Sequence, residues 1–96
     1  MLFVITAFDK PDSLELRMAT RPAHVEYLQK TGVLKLGGPF IDEKGEMIGS
    51  LLIIEVPDLA AAAAWQAADP YVKAGLFARS DLTAWKATAN FCRAEF

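Results

Sequence analysis

The stretch Gly49-Ser50-Leu51-Leu52-Ile53-Ile54-Glu55-Val56 carries four aliphatic residues in a row, so any strand it forms is apolar on both faces. Such a strand belongs in the middle of a sheet whose two sides are both covered. Leu2 to Phe8 reads the same way, with Leu2, Val4, Thr6 and Phe8 on one side and Phe3, Ile5 and Ala7 on the other. Around these two central strands the rest of the chain is arranged. Val33 to Phe40 is a further strand, ending in Gly37-Gly38-Pro39, and Asp42-Glu43-Lys44-Gly45-Glu46 is a polar hairpin tip. Phe77 to about Thr88 is the last strand, with charges on one face that suit an edge.

Helices fill the two remaining gaps. Asp12 or Ser13 is a candidate cap, but Pro22 interrupts the helical stretch that follows, and a proline inside a helix costs roughly 3 kcal/mol. Either one helix kinks at Pro22, or a short turn over 13–19 precedes a main helix capped by Thr20; the second reading is favoured. Gly32 closes this helix. Pro57-Asp58 opens the second helix, continued by the alanine run 60–64 and Trp65, and Asp69-Pro70 caps a short turn ending near Gly75.

The order β-α-β-β-α-β, with right-handed crossovers, implies an α+β, ferredoxin-like fold. Its antiparallel sheet has the spatial order 4-1-3-2, with both helices on one face. That order makes the two doubly apolar strands central, as their composition requires. It also leaves their second apolar face uncovered, which a homodimer packing sheet against sheet would bury.

Ninety-six residues make a single domain, 1–96, of which 53% are hydrophobic, somewhat above the usual ~45–50%. A net charge of −2 with scattered Lys and Arg gives no nucleic-acid footprint. Cys92 is alone, so no intrachain disulfide forms, and one cysteine with one histidine makes no Cys/His zinc site. The apolar start lacks a basic n-region, and the longest later apolar run, Leu59 to Trp65, is far short of the ~18 residues a membrane span needs. A cytoplasmic protein without membrane or nucleic-acid partners is expected. No phosphate loop, nucleotide motif or metal cluster is present, so no cofactor and no metal are expected.

His24 is the only histidine, and its ordinary pKa range suits proton transfer near neutral pH. The topology gathers the start of the first helix, Gly38-Pro39, Gly49-Ser50 and Asp69-Pro70-Tyr71 at one end of the sheet. His24 lies near that end only if the main helix starts near Pro22; one straight helix from Ser13 would carry it ~16 Å away.

The opening strand, Asp9-Lys10-Pro11-Asp12-Ser13-Leu14-Glu15-Leu16-Arg17, Arg21-Pro22-Ala23-His24, Gly38-Pro39, Gly49-Ser50 and Ala68-Asp69-Pro70-Tyr71-Val72-Lys73-Ala74-Gly75 together resemble the YciI (YCII-related) family. The resemblance implies the dimeric α/β-barrel superfamily and an active site centred on a histidine and an aspartate, falling here on His24 and Asp69. Two features depart from the pattern: the short segment Ile41 to Ile48, and an ending around Trp85 and Phe91 without a Lys/Phe-rich tail.

On this reading His24 is a general acid/base oriented by Asp69, in isomerisation, elimination or dehydrochlorination of a small cyclic or aromatic substrate. Such chemistry is implied by the superfamily, which also hosts cofactor-independent oxygenases and lactone isomerases. Arg17 could hold a substrate carboxylate in bidentate fashion, Tyr71 could offer its hydroxyl to a ligand, and Ser50 is a third candidate contact. Each has a plainer reading: Asp69 as a helix cap, Arg17 as a solvated charge, Tyr71 as packing and Ser50 as the start of a strand. The alternative function is a non-catalytic dimeric module that binds a small ligand in the same cleft.

Overall fold

Seven elements follow one another in the computed structural model, which describes residues 1–96. They are β1 (Leu2–Asp9), α1 (Leu14–Thr31), β2 (Leu34–Ile41), β3 (Met47–Glu55), α2 (Leu59–Ala68), the single turn α3 (Pro70–Lys73) and β4 (Phe77–Trp85). The sheet order is β2-β3-β1-β4, every pair antiparallel, which is 4-1-3-2 read from the other edge. This is the ferredoxin-like α+β arrangement, and the two strands apolar on both faces are the central ones.

Register fixes which side chains meet the helices. Phe3 pairs with Ile54, Ile5 with Leu52 and Ala7 with Ser50, and all six are buried. Phe3, Ile5, Leu52 and Ile54 join Val56, Ala62 and Trp65 in the core, with Tyr27, Leu28 and Val33 packed around them. Of the alanine run, Ala62 alone is fully buried. Trp65 does more than fill space. Its indole N–H donates to Thr31 Oγ1 at 2.9 Å, and Tyr27 Oη donates to the Trp65 carbonyl at 2.8 Å. These bonds latch the last turns of α1 to the middle of α2.

The break expected at Pro22 does not occur. One helix of 18 residues runs from Leu14 to Thr31 with Pro22 inside it. Pro22 is exposed, and α1 is held on both sides of it, by Arg17 in the turn before and His24 in the turn after, both buried. Tertiary anchoring at two points outweighs the local cost of the proline. Neither candidate cap performs that role: Ser13 stands at the N-cap without a side-chain cap bond, its hydroxyl turned to the Pro11 carbonyl, and Asp12 adopts a left-handed conformation. Gly32 ends the helix at φ 66°, its N–H donating to the Leu28 carbonyl.

The hairpin tip is held by Asp42, whose Oδ1 accepts from the amides of Lys44 and Glu46. β4 ends at Trp85, three residues before the expected Thr88, and the chain turns so that the Phe96 ring meets the Trp85 ring edge-on. The opposite face of the sheet, bearing Val4, Leu51, Ile53, Thr83 and Trp85, has no helix over it.

Gly49 permits the close approach of β3 to β1 that sets Ser50 opposite Ala7. A Cβ built on Gly49 would lie 2.4 Å from the Ala7 carbonyl oxygen, a backbone atom that cannot yield without disturbing the central strand pair. Gly49→Ala is therefore expected to lower the unfolding free energy by about 1–3 kcal/mol, read as a fall in the urea midpoint at unchanged m-value.

Candidate active site

α1 turns an unusual face inward. Its two buried residues, Arg17 and His24, are seven positions apart, two helical turns on one side. Where an ordinary core-facing stripe would carry Leu or Val, this one carries a cation and an imidazole.

His24 Nδ1 lies 2.7 Å from Asp69 Oδ1, and the two side chains are 7% and 3% exposed. The same Oδ1 accepts the Tyr71 backbone N–H at 2.9 Å, capping α3. Capping and histidine contact thus fall on one carboxylate oxygen, where two oxygens could have divided them. An ionised carboxylate only accepts, so Nδ1 carries the proton and neutral His24 keeps its lone pair on Nε2. Nε2 has no partner within the chain. Because no buried side-chain nitrogen or oxygen lacks a partner, Nε2 reaches accessible space, and the cleft that His24 lines supplies it.

Asp69 reaches mid-helix because α2 is short. Starting from the far end of the sheet, its 10 residues climb roughly 15 Å and stop level with the middle of α1. One expectation fails: α1 does not restart at Pro22, yet His24 of the continuous helix still meets Asp69. The expected gathering of Gly38-Pro39, Ser50 and Tyr71 with the start of α1 holds, and the cleft runs along α1 from Arg17 in its first turn to His24 and beyond.

Arg17 is 2% exposed and is no solvated charge. Nε donates to Asp9 Oδ2 at 2.7 Å, and Nη2 to Asp9 Oδ1 and Ser50 Oγ, both at 2.9 Å. The bidentate face expected to grip a substrate carboxylate holds Asp9 instead. Burial opposes the Arg17 charge, but the hydrogen bonds and negative charge of Asp9 outweigh it and raise its pKa. Tyr71, 2% exposed, stacks on His24 at 4.0 Å between ring centroids and lies 4.7 Å from the Arg17 guanidinium carbon. Burial raises the Tyr71 phenol pKa, with the Arg17 and Arg21 charges acting the other way.

Arg17, His24, Ser50 and Tyr71 all line one cleft of about 200 Å³ between α1 and the β2–β3 half of the sheet. Asp69 stands behind His24, out of the lining. Gly37, Gly38 and Pro39 form the β2 wall, and Arg21 adds a second cation. Asp9 and Arg21 were missed by sequence reasoning. Asp9 had a signal, since it continues the row Phe3, Ile5, Ala7 on the helix side of β1, where a carboxylate needs a buried partner. No group of three His, Cys, Asp or Glu side chains gathers where it could hold a metal ion, and no helix is long and apolar enough to cross a membrane.

A ferredoxin-like sheet with a buried His–Asp contact beside a cleft defines a protein of the dimeric α/β-barrel class of folds. The chain belongs to the YCII-related family, whose domain matches residues 1–86. It is 45% identical to protein YciI of Escherichia coli O6:H1, with 80% of this chain and 88% of that protein covered. It is 39% identical to a Haemophilus influenzae protein, covering 81% of this chain and 89% of that one. Among solved structures it is similar to the 5-chloro-2-hydroxyhydroquinone dehydrochlorinase TftG of Burkholderia phenoliruptrix, in complex with 2,5-dihydroxybenzoquinone. That likeness has a TM-score of 0.82 at 35% identity, over 90% of this chain and 94% of the other.

Asp69→Ala removes one half of a buried pair and a cap at once, and is expected to cost about 3–5 kcal/mol of stability in chemical denaturation. In ¹⁵N NMR at alkaline pH, His24 of the unaltered protein is expected as the Nδ1–H tautomer. Asp69→Ala, which leaves Nδ1 no acceptor there, should lose that preference.

Proposed function

We propose that this protein is a small enzyme in which His24 Nε2 exchanges a proton with a cyclic or aromatic hydroxylated substrate, Asp69 orienting the imidazole. The 2.7 Å contact between His24 and Asp69 at the wall of the cleft carries this reading. A neutral imidazole with its Nδ1–H committed to a carboxylate presents a base of fixed direction, and the carboxylate stabilises the imidazolium formed when the proton arrives. In an isomerisation the proton returns to another atom of the substrate. In a dehydrochlorination His24 passes a hydroxyl proton to the chlorine-bearing ring carbon, and removal of a second hydroxyl proton from that keto form makes the quinone double bonds and expels chloride with its bonding electrons. The activity and quinone ligand of TftG support a substrate of that kind. Arg17, Ser50 and Tyr71 are the proposed substrate-binding residues, on one domain spanning 1–96.

The test is chloride release from 5-chloro-2-hydroxyhydroquinone, with isomerisation of unchlorinated hydroxyquinols followed by absorbance. His24→Gln is expected to lose roughly 10²–10⁴-fold in turnover while the fold persists. Equal turnover by His24→Gln would refute the assignment, and quinone binding by the unaltered protein without any turnover would leave a ligand-binding module.

The proposed partner is a second copy of the chain, set against the open sheet face. Phe8, Leu36 and Trp85 are 44%, 52% and 40% exposed there, beside Val4, Leu51 and Ile53. Light scattering at micromolar concentration should give twice the 10.5 kDa chain mass, and Leu36→Asp, at an exposed position, should halve it.

A further inference from the structure

A guanidinium has five N–H donors. In Arg17 three are taken: Nε by Asp9 Oδ2, and the two of Nη2 by Asp9 Oδ1 and Ser50 Oγ. The two on Nη1 make no bond as close as these; the neutral Tyr71 hydroxyl is the one further side-chain group of the chain that approaches the guanidinium as a hydrogen-bond partner, and it lines the same cleft. Since no buried side-chain nitrogen or oxygen is left unpaired, Nη1 is the corner of this buried side chain that reaches accessible space. Arg17 lines the cleft beside His24, which also holds Arg21 and is lined by no Asp or Glu.

A carboxylate grips a guanidinium in two ways, along the Nε–Nη2 side or across the Nη1–Nη2 end. Asp9 fills the first. Ser50 takes the Nη2 hydrogen that the second would need. We infer that Arg17 is a single-point anion anchor, taking one phenolate or enolate oxygen of a ring substrate on Nη1 and disfavouring carboxylates. Asp9 is its positioning residue, and Ser50, itself part of the cleft wall, holds its second Nη2 hydrogen. The cation binds such an oxygen best in its ionised form, so a hydroxylated ring is held with one oxygen at Arg17 and another part of the ring toward His24. This assignment deepens the proposed substrate class and rests on the cleft being a small-molecule site, but not on proton transfer by His24.

The experiment is calorimetric titration with two planar rings that each carry para-disposed anionic groups. One is 2,5-dihydroxybenzoquinone, with ionised enol oxygens; the other is terephthalate, with carboxylates. The unaltered protein should bind the quinone about tenfold or more tightly than terephthalate, the size expected of one charge-assisted bond set against an unmatched one. Ser50→Ala frees the second Nη2 hydrogen and should raise terephthalate affinity relative to the quinone, whereas loss of a merely structural hydroxyl would weaken both alike. Arg17→Lys, checked for folding by circular dichroism, should lose quinone affinity about tenfold or more. Equal affinity for the two rings, no binding of the quinone, or a Ser50→Ala ratio equal to that of the unaltered protein would overturn the anchor. Selective binding with turnover indifferent to His24→Gln would sink the proton-transfer reading alone. His24-dependent turnover without selectivity would sink the anchor alone.

Discussion

One carboxylate oxygen starts a helix and ties it to another 45 residues away in sequence. Asp69 Oδ1 accepts the Tyr71 amide at 2.9 Å, which starts α3, and faces His24 Nδ1 at 2.7 Å, which holds α1. Through α3 the same residue aims the Tyr71 ring, which stacks on His24. The buried oxygen is useful only because α2 stops where it does. Trp65, bonded to both Tyr27 and Thr31, sets α2 against α1 so that its end meets the middle of the longer helix.

The inward side of α1 is expensive. Burying a cation and an imidazole costs desolvation energy that two apolar residues would not incur, and the ion pairs recover it only through close geometry and full hydrogen bonding. Both conditions are met: Arg17 is bidentate to Asp9 and bonded to Ser50, His24 is bonded to Asp69, and no buried side-chain polar atom is orphaned. A domain of 96 residues has limited core to offset such a cost. That the polar groups converge on one cleft makes a ligand site the economical explanation.

Within the site the two buried pairs differ in kind. His24 and Asp69 form a contact in which one partner can change its charge. Arg17 and Asp9 form one in which the charge is permanent, since the guanidinium does not titrate and its carboxylate partner reinforces it. Tyr71 lies against both, a buried phenol whose raised pKa keeps it neutral between them. An imidazole and a fixed cation thus share one aromatic neighbour at the wall of the cleft.

The sheet was legible from composition because strand position depends on a local property. A strand apolar on both faces, such as Leu2–Phe8 or Gly49–Val56, has to be central, and with short connections and right-handed crossovers the order follows. Gly32, Asp58 and Asp69 at helix ends were legible for a similar reason, each acting on atoms within four residues. The pairing of His24 with Asp69 came from a family resemblance, not from spacing. Pro22 misled because propensity reports the cost of a helical proline but not the anchors at Arg17 and His24 that offset it. Only the tertiary structure set the height of Asp69 against α1, turned Arg17 from a surface charge into a buried one, and gave its fork to Asp9. Those outcomes depend on helix length and on contacts across 8 to 45 residues, distances over which side-chain type alone carries no information about partners.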